Sequence, residues 1–405
     1  MYQGKHILLI ISGGIAAYKI PQFIRGLVKA GAEVQVIATQ AATAFVTPQT
    51  LAVVSQHPVY DDHYLHSNTT AISHLDLTIW ADLIIVAPAT ADILAKMANG
   101  IADDLASTAL LAAAKPIFVF PAMNDQMYGA AATQRNLALL RQDHVTVFEP
   151  EVGLLAEGYA AKGRMPEPAT MQALVKNAWQ RQTTDQTLAG QRVLITAGGT
   201  REAIDPVRFI GNHSSGKMGW ALARAAYWAG AEVTVISSVP APMDIPAKVV
   251  AVTTTAELQA AVQRLFPQSD LLFMAAAPAD FRPAHPATNK IKKQPGQAEM
   301  QLTLVKNPDI LASLKPQRRQ QIVVGFAAET QQLLTNAQAK LQAKDLDLIV
   351  ANPVGGTDSG FDVDQNQGTL LFADGSQQTL PLTSKEVMAQ AIVAAVTTKI
   401  LDGRR

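Results

Sequence analysis

An unbroken apolar run, Ile7 to Ile11, ends in Ser12-Gly13-Gly14 and gives way to helical spacing of apolar residues from Ile15 to Ala30. Gly31 stops that helix, and Ala32 to Ala38 reads as a second strand. Strand, glycine turn, helix, strand is the pattern of a parallel βαβ unit. Further apolar runs at Leu83 to Ala87, Ile117 to Phe120 and Val145 to Phe148 do not alternate with polar residues. That is the pattern of strands in a parallel sheet covered on both faces.

After a Gln- and Thr-rich stretch around Ala169 to Leu188 the pattern restarts at Arg192 to Thr196. Ile10-Ile11-Ser12-Gly13-Gly14 returns as Ile195-Thr196-Ala197-Gly198-Gly199, AGAEVQVIA at Ala30 as AGAEVTVIS at Ala229, and ADLIIVAPA at Ala81 as SDLLFMAAA at Ser269. The spacing between the first two elements is longer in the second copy, so an insertion follows its glycine turn. It holds Asp205-Pro206-Val207-Arg208 and Asn212-His213-Ser214-Ser215-Gly216-Lys217. A loop enlarged at the C-terminal edge of a parallel sheet is placed to touch ligand. The expected fold is α/β: two doubly wound, mostly parallel-sheet domains of Rossmann or flavodoxin type, residues 1–188 and 189–405.

Composition narrows this picture. A chain of 405 residues exceeds one ordinary core, and 48% apolar residues suffice for two. Thirty-three basic residues balance thirty-three acidic ones, which argues against a nucleic-acid binder but leaves room for a local phosphate site. The chain has no cysteine. Disulfides, thiolate metal sites and cysteine nucleophiles are thereby excluded, and a cytoplasmic location is expected. The N-terminal apolar run is too short for a signal peptide or a spanning helix, and no longer one follows, so no membrane association is expected.

The glycine turn Ser12-Gly13-Gly14, between a strand and a helix, suits a phosphate on backbone amides, though a turn needed only for packing has the same pattern. A nicotinamide dinucleotide calls for an acidic residue at the end of the second strand. Thr39 stands there, which favours a mononucleotide such as FMN. His74 in Ser73-His74-Leu75-Asp76-Leu77 is a lone histidine, ordinarily structural or exposed. Pro121-Ala122-Met123-Asn124 falls just past the strand ending at Phe120, where the Asn124 amide is placed to hold a carboxylate; inward-packing methionines give the same pattern.

SGGIAAYK, SHLDL, APATADILAKMANGIADD and PAMNDQMY resemble the homo-oligomeric flavin-containing cysteine decarboxylases. The resemblance implies FMN held by Ser12, Gly13, Gly14, Thr39 and Thr90, with His74 as catalytic base and Asn124 clamping the substrate carboxylate. It also implies a proton-donating cysteine in an Ala-Cys-Gly context. Here Ala156-Glu157-Gly158 stands instead, so Glu157, with its acidity weakened by burial, or a nearby group is the expected replacement.

In the second copy, Lys290-Ile291-Lys292-Lys293 is a basic run, and Lys340 and Lys344 share one face of a helix expected over Leu333 to Leu346. Such lysines are ordinarily solvated. Their significance comes from convergence with the glycine turn, the insertion, Ala275-Ala276-Ala277-Pro278-Ala279-Asp280, Asn307-Pro308-Asp309-Ile310 and Gly325-Phe326 at strand ends, where several lysines would neutralise a triphosphate. Gly216-Lys217 lacks the first glycine of a P-loop. The motifs DPVRFIGNHSSGKMG, AAAPADFRP, KIKK, VKNPDIL, GFAAET and AKLQAKDLDLIVAN resemble phosphopantothenate–cysteine ligases, and the order of the halves is that of the bacterial decarboxylase–ligase fusions. This implies Mg2+-dependent ligation of cysteine to 4′-phosphopantothenate with CTP. CTP would lie on Ala275, Ala276, Asp280, Lys290, Asn307, Pro308, Asp309, Ile310, Phe326, Lys340 and Lys344. Lys290 would stabilise the α-phosphate, and Arg208 and Asn212 would hold the acyl-cytidylate. The resemblance also implies a homo-oligomer in which ligase dimers and decarboxylase trimers combine into a dodecamer.

Overall fold

The computed structural model describes residues 2–62, 74–242, 244–292, 299–329, 331–353 and 363–401; Ser73, Lys293 and Thr330 of the motifs above lie outside them. The chain divides into two compact units, Met1–Ala178 and Trp179–Arg405.

In the first unit six parallel strands, β1 (His6–Ile11), β2 (Glu33–Ala38), β3 (Val59–Tyr60), β4 (Leu83–Ala89), β5 (Ile117–Pro121) and β6 (Thr146–Val147), lie in the order β3-β2-β1-β4-β5-β6. Central β1 pairs Ile10 with Ile37 on one side and Val86 on the other. Ile7 to Ile11 are completely buried, because helices cover both faces; the absence of alternation is thereby explained. The expected helix from Ile15 begins instead as a 3-10 turn, Ile15–Lys19, and becomes α-helical at Ile20–Lys29. Pro21 near its start fits the first helical turn, where a backbone N–H is not required. An antiparallel hairpin, β7 (Glu151–Leu154) with β8 (Ala160–Arg164), stands apart from the sheet.

The second unit has an eight-stranded sheet. Its strands are β9 (Arg192–Ala197), β12 (Glu232–Ser237), β13 (Lys248–Ala251), β14 (Leu271–Met274), β17 (Ile322–Glu329), β18 (Leu348–Pro353), β19 (Gln365–Phe372) and β20 (Gln377–Ser384), ordered β13-β12-β9-β14-β17-β18-β19-β20. The strands from β13 to β18 are parallel, and β19 and β20 close one edge antiparallel. The sheet is therefore mostly parallel, as the apolar runs indicate. The insertion folds as a hairpin of β10 (Arg201–Ala203) with β11 (Phe209–Gly211), and a second hairpin joins β15 (Phe281–Pro283) to β16 (Leu304–Lys306). The helix Lys217–Trp228 lies so close to β9 that a Cβ on Gly219 would meet the Ala197 side chain at 2.6 Å. Glycine is what allows that approach. No helix among the described residues is long and apolar enough to cross a membrane.

Candidate functional site

Both sheets reverse strand order beside their first strand, between β1 and β4 and between β9 and β14, which opens a crevice at the C-terminal edge. In the first unit Ser12, Gly13, Gly14, Thr39 and Thr90 all reach that edge. The Ser12 hydroxyl is buried; it donates to the Pro88 carbonyl at 2.7 Å and accepts from Thr90 N–H at 3.0 Å. Ser12 thus ties the glycine turn to the turn after β4. Thr39 and Thr90 cap the helical turns that follow, accepting from Ala42 and Ile93 N–H. The amides of Gly13 and Gly14 have no hydrogen-bond partner among the described residues. A Cβ on Gly14 would meet nothing nearer than Thr90 Cγ2 at 3.5 Å. Gly13 packs against Ala41, which a Cβ would meet at 2.4 Å, and the two amides with open space over Gly14 form a cradle that fits a phosphate.

Asn124 caps the short helix Asp125–Gly129, and its Oδ1 accepts from Gln126 N–H at 2.9 Å. Its Nδ2 donates to Glu157 Oε1 and to the Tyr159 hydroxyl, both at 2.9 Å, and Tyr159 donates to Asp125 Oδ1 at 2.5 Å. The structure therefore brings Asn124 and Glu157 together. It also adds Tyr159, which the sequence reading passed over; the signal was its position two residues from Glu157 across Gly158, whose φ of +89° makes the hairpin tip. Glu157 is exposed, so the burial expected of it is not supplied by its own chain. Tyr159 holds the Asp125 carboxyl below its ordinary range by its hydrogen bond. The hairpin is held from below: Lys162 and Arg141 pair with Glu149 at 2.6 and 2.7 Å, and Tyr128 donates to the same carboxylate at 2.8 Å. Burial, then this bond to Glu149, pushes the Tyr128 phenol up to about 12. His74 opens the helix His74–Trp80, half-buried, with no side-chain hydrogen bond among the described residues.

In the second unit a cavity of about 620 Å³ is lined by Asn212, Ala275, Ala276, Asp280, Asn307, Pro308, Asp309, Ile310, Phe326, Lys340 and Lys344. Eleven expected residues from five separate stretches thus converge. Lys217, Lys306, Lys385, Asn352 and Asn366 line it too and were not foreseen. Lys217 sat in a motif set aside as an incomplete P-loop, and Lys306 and Asn352 lie within VKNPDIL and AKLQAKDLDLIVAN without having been singled out; Lys385 and Asn366 carry no distinguishing pattern. Five lysines and two aspartates line this wall, and Asp364 pairs with Lys217 at 2.7 Å, which still leaves a net positive charge suited to a polyanion.

The hydroxyls of Thr196 and Thr200 lace the loop Ala275–Asp280 by accepting from Ala276 and Ala279 N–H at 3.0 and 2.8 Å. Asn212 Nδ2 donates to the Pro278 carbonyl at 2.9 Å. Asn307 is buried and committed internally, donating to the Ala279 carbonyl at 2.9 Å and accepting from Arg282 at 3.0 Å. Lys344 meets Asp309 at 3.1 Å. For Asp309, burial pushes the carboxyl up, but the Ala312 N–H and the Lys344 charge outweigh it, and the net shift is downward.

Arg208 and Lys290 are outside the lining. Arg208 forks onto the buried Asp205, with Nε and Nη2 on Oδ2 at 3.0 and 2.5 Å. This guanidinium, with the Val207, Arg208 and Ile291 amides, holds the Asp205 carboxyl far below its ordinary range. Arg208 Nη2 also donates to the Ile291 carbonyl at 3.1 Å, which ties the segment carrying exposed Lys290 to the insertion. Among the described residues no three acidic, histidine or cysteine side chains converge as a metal site.

Comparison with known proteins places both crevices in one context. The flavoprotein family model matches residues 1–180, and the DNA/pantothenate metabolism flavoprotein C-terminal domain matches residues 188–400. The coenzyme A biosynthesis bifunctional protein CoaBC of Bacillus subtilis (strain 168) is 47% identical over 388 residues, covering 95% of each chain. The protein of the same name from Escherichia coli (strain K12) is 45% identical over 409 residues, covering 99% of each. A solved C-terminal domain of a CoaBC protein covers 54% of this chain and 100% of its own, with 34% identity and a TM-score of 0.45. With relatives aligned along nearly its full length and each half matched by its own family model, the chain belongs to the bifunctional coenzyme A biosynthesis proteins of the CoaBC family.

Proposed function

We propose that the two activities of this bifunctional enzyme, phosphopantothenoylcysteine decarboxylase and phosphopantothenate–cysteine ligase, divide along the chain as residues 1–188 and 189–405. The observation that carries this assignment is the lysine-lined cavity at the switch point of the second sheet.

In the ligase half, CTP is the proposed nucleotide, its phosphates facing Lys340, Lys344 and the other lysines of the wall. A carboxylate is a poor electrophile, so the phosphopantothenate carboxylate first attacks the α-phosphate of CTP and releases pyrophosphate. The cysteine amine then attacks the acyl-cytidylate and CMP leaves. Lys290 and Arg208 would act from the insertion side, on the α-phosphate and the acyl group. Asn212, fixed by Pro278, would hold the intermediate. Magnesium would enter as the counterion of the triphosphate.

In the decarboxylase half, FMN is the proposed cofactor, its phosphate on the Gly13–Gly14 cradle with Thr39 and Thr90 alongside. Bound FMN supplies the two-electron chemistry that makes the substrate's carboxylate able to leave. Asn124 orients that carboxylate, His74 moves protons as a neutral imidazole, and Glu157 stands where a proton donor is expected. A homo-oligomer is proposed as well, since Leu75, Ile79 and Leu111 are apolar yet exposed in the single chain.

The test uses purified full-length protein. Its visible spectrum is recorded, then 4′-phosphopantothenate, cysteine, CTP and magnesium are added and products followed by mass spectrometry. Phosphopantetheine is the expected product. A colourless preparation, even with added FMN, that consumes no CTP would overturn the proposal. Asn212→Asp should slow use of the acyl-cytidylate more than its formation, and Glu157→Gln should stall the final protonation.

A further inference from the structure

The Asn124 amide has no donor left for a substrate. A primary amide carries two N–H groups, and here one goes to Glu157 Oε1 and the other to the Tyr159 hydroxyl, each at 2.9 Å. Glu157 is a carboxylate, the same group that Asn124 is proposed to clamp on the substrate. The two partners are held differently. Tyr159 gives its proton to Asp125 Oδ1 at 2.5 Å, so its oxygen is obliged to accept from Asn124. Asp125 therefore sets the direction of the whole line from Asn124 through Tyr159. Glu157 has only the Asn124 bond among the described residues, sits exposed beside Gly158 at the hairpin tip, and shares its surroundings with the negative charge of Asp125. Of the two, Glu157 is the partner that can be exchanged.

We propose that the Glu157 carboxylate is a tethered stand-in for the substrate's carboxylate, occupying the Asn124 clamp until the substrate displaces it, while the Asp125–Tyr159 pair keeps the amide aimed. This rests on the reading of Asn124 as the carboxylate clamp. It has a consequence for turnover. The substrate must evict Glu157 to bind, but the decarboxylated product has no anion to offer Asn124. Glu157 then returns to the amide, beside the carbon from which carbon dioxide has left, and competes with the product for the site.

The test is calorimetric binding to the full-length, flavin-loaded protein of two analogues that cannot be oxidised as thiols. One is phosphopantothenoyl-serine, which keeps the carboxylate; the other is phosphopantothenoyl-ethanolamine, which lacks it. Removing an exposed, charge-assisted competitor in Glu157→Ala should tighten the serine analogue roughly three- to tenfold, with the ethanolamine analogue changed less than about twofold. Unchanged or weaker binding of the serine analogue, or equal tightening of both, would overturn the proposal. Asn124→Ala separates the two readings. If the preference for the serine analogue disappears there while Glu157→Ala gives no gain, only the stand-in is wrong. If the preference survives in Asn124→Ala, the clamp itself is wrong and the stand-in falls with it. The flavin absorbance of each variant reports that the site is intact.

Discussion

Gly163 offers a sharp test of how the hairpin serves the first crevice. It lies in β8 against the Asn124 loop, and Met123 N–H donates to its carbonyl at 3.1 Å. A Cβ on Gly163 would stand 2.1 Å from the Met123 carbonyl oxygen, whereas comfortable contact needs roughly 3.5 Å. Both obstructing groups are backbone, so Gly163→Ala must push the hairpin and the Met123–Asn124 loop apart by more than about 1 Å. Overpacking of this kind costs about 1–3 kcal/mol, and loss of the Met123–Gly163 hydrogen bond adds about 0.5–1.5 kcal/mol. A total of about 1.5–4.5 kcal/mol, borne by hairpin docking, lowers the docking equilibrium constant by between about one and three powers of ten. The assay follows both half-reactions in the same preparation, so that the ligase serves as the internal control. Decarboxylation should fall at least about tenfold, with ligation within about twofold of the parent. A variant that decarboxylates at the parental rate would refute the argument that hairpin docking shapes the site.

Lys19 is buried and donates to the Met165 carbonyl at 2.7 Å and to Glu167 at 2.9 Å. Lys19→Met strands that carbonyl and should cost about 1–3 kcal/mol in chemical denaturation, while Glu167→Gln, at a half-exposed partner, should cost much less; equal losses would contradict this. Tyr128 contributes a pH dependence: its folded-state pKa, raised to about 12, exceeds the ordinary 10. A raised pKa means its contribution is complete below pH 10 and is lost as pH rises toward 12. The urea midpoint should fall between those values, and Tyr128→Phe should flatten the fall; an unchanged profile would remove Tyr128 as its source. Lys344→Met should raise the KM for CTP by roughly tenfold with a smaller change in kcat, measured as pyrophosphate release. An unchanged KM would take Lys344 out of the nucleotide site.

Much of this architecture is legible in local pattern. Unalternated apolar runs such as Ile7–Ile11 mark strands buried on both faces, because no solvent-facing side exists to demand polar residues. The two glycine turns recur because each strand must bend sharply into its crossover helix, and that repeat exposes two similar folds in tandem. The antiparallel edge β19–β20 was harder to see. Its residues face solvent at several positions, and a pairing direction is set by which neighbour the chain meets.

The sites divide in the same way. The sequence alone determined the two sheets, their crevices and most of the cavity residues, since these follow strand ends at regular positions. Tertiary structure decided what those residues do with their hydrogen bonds. It committed Asn307 to Ala279 and Arg282, and Arg208 to Asp205, and it brought Lys385 and Asn366 to a wall formed from distant segments. It also laid Glu157 and Tyr159 on Asn124. Hydrogen bonds are short and directional, so only the packed chain determines which donor meets which acceptor.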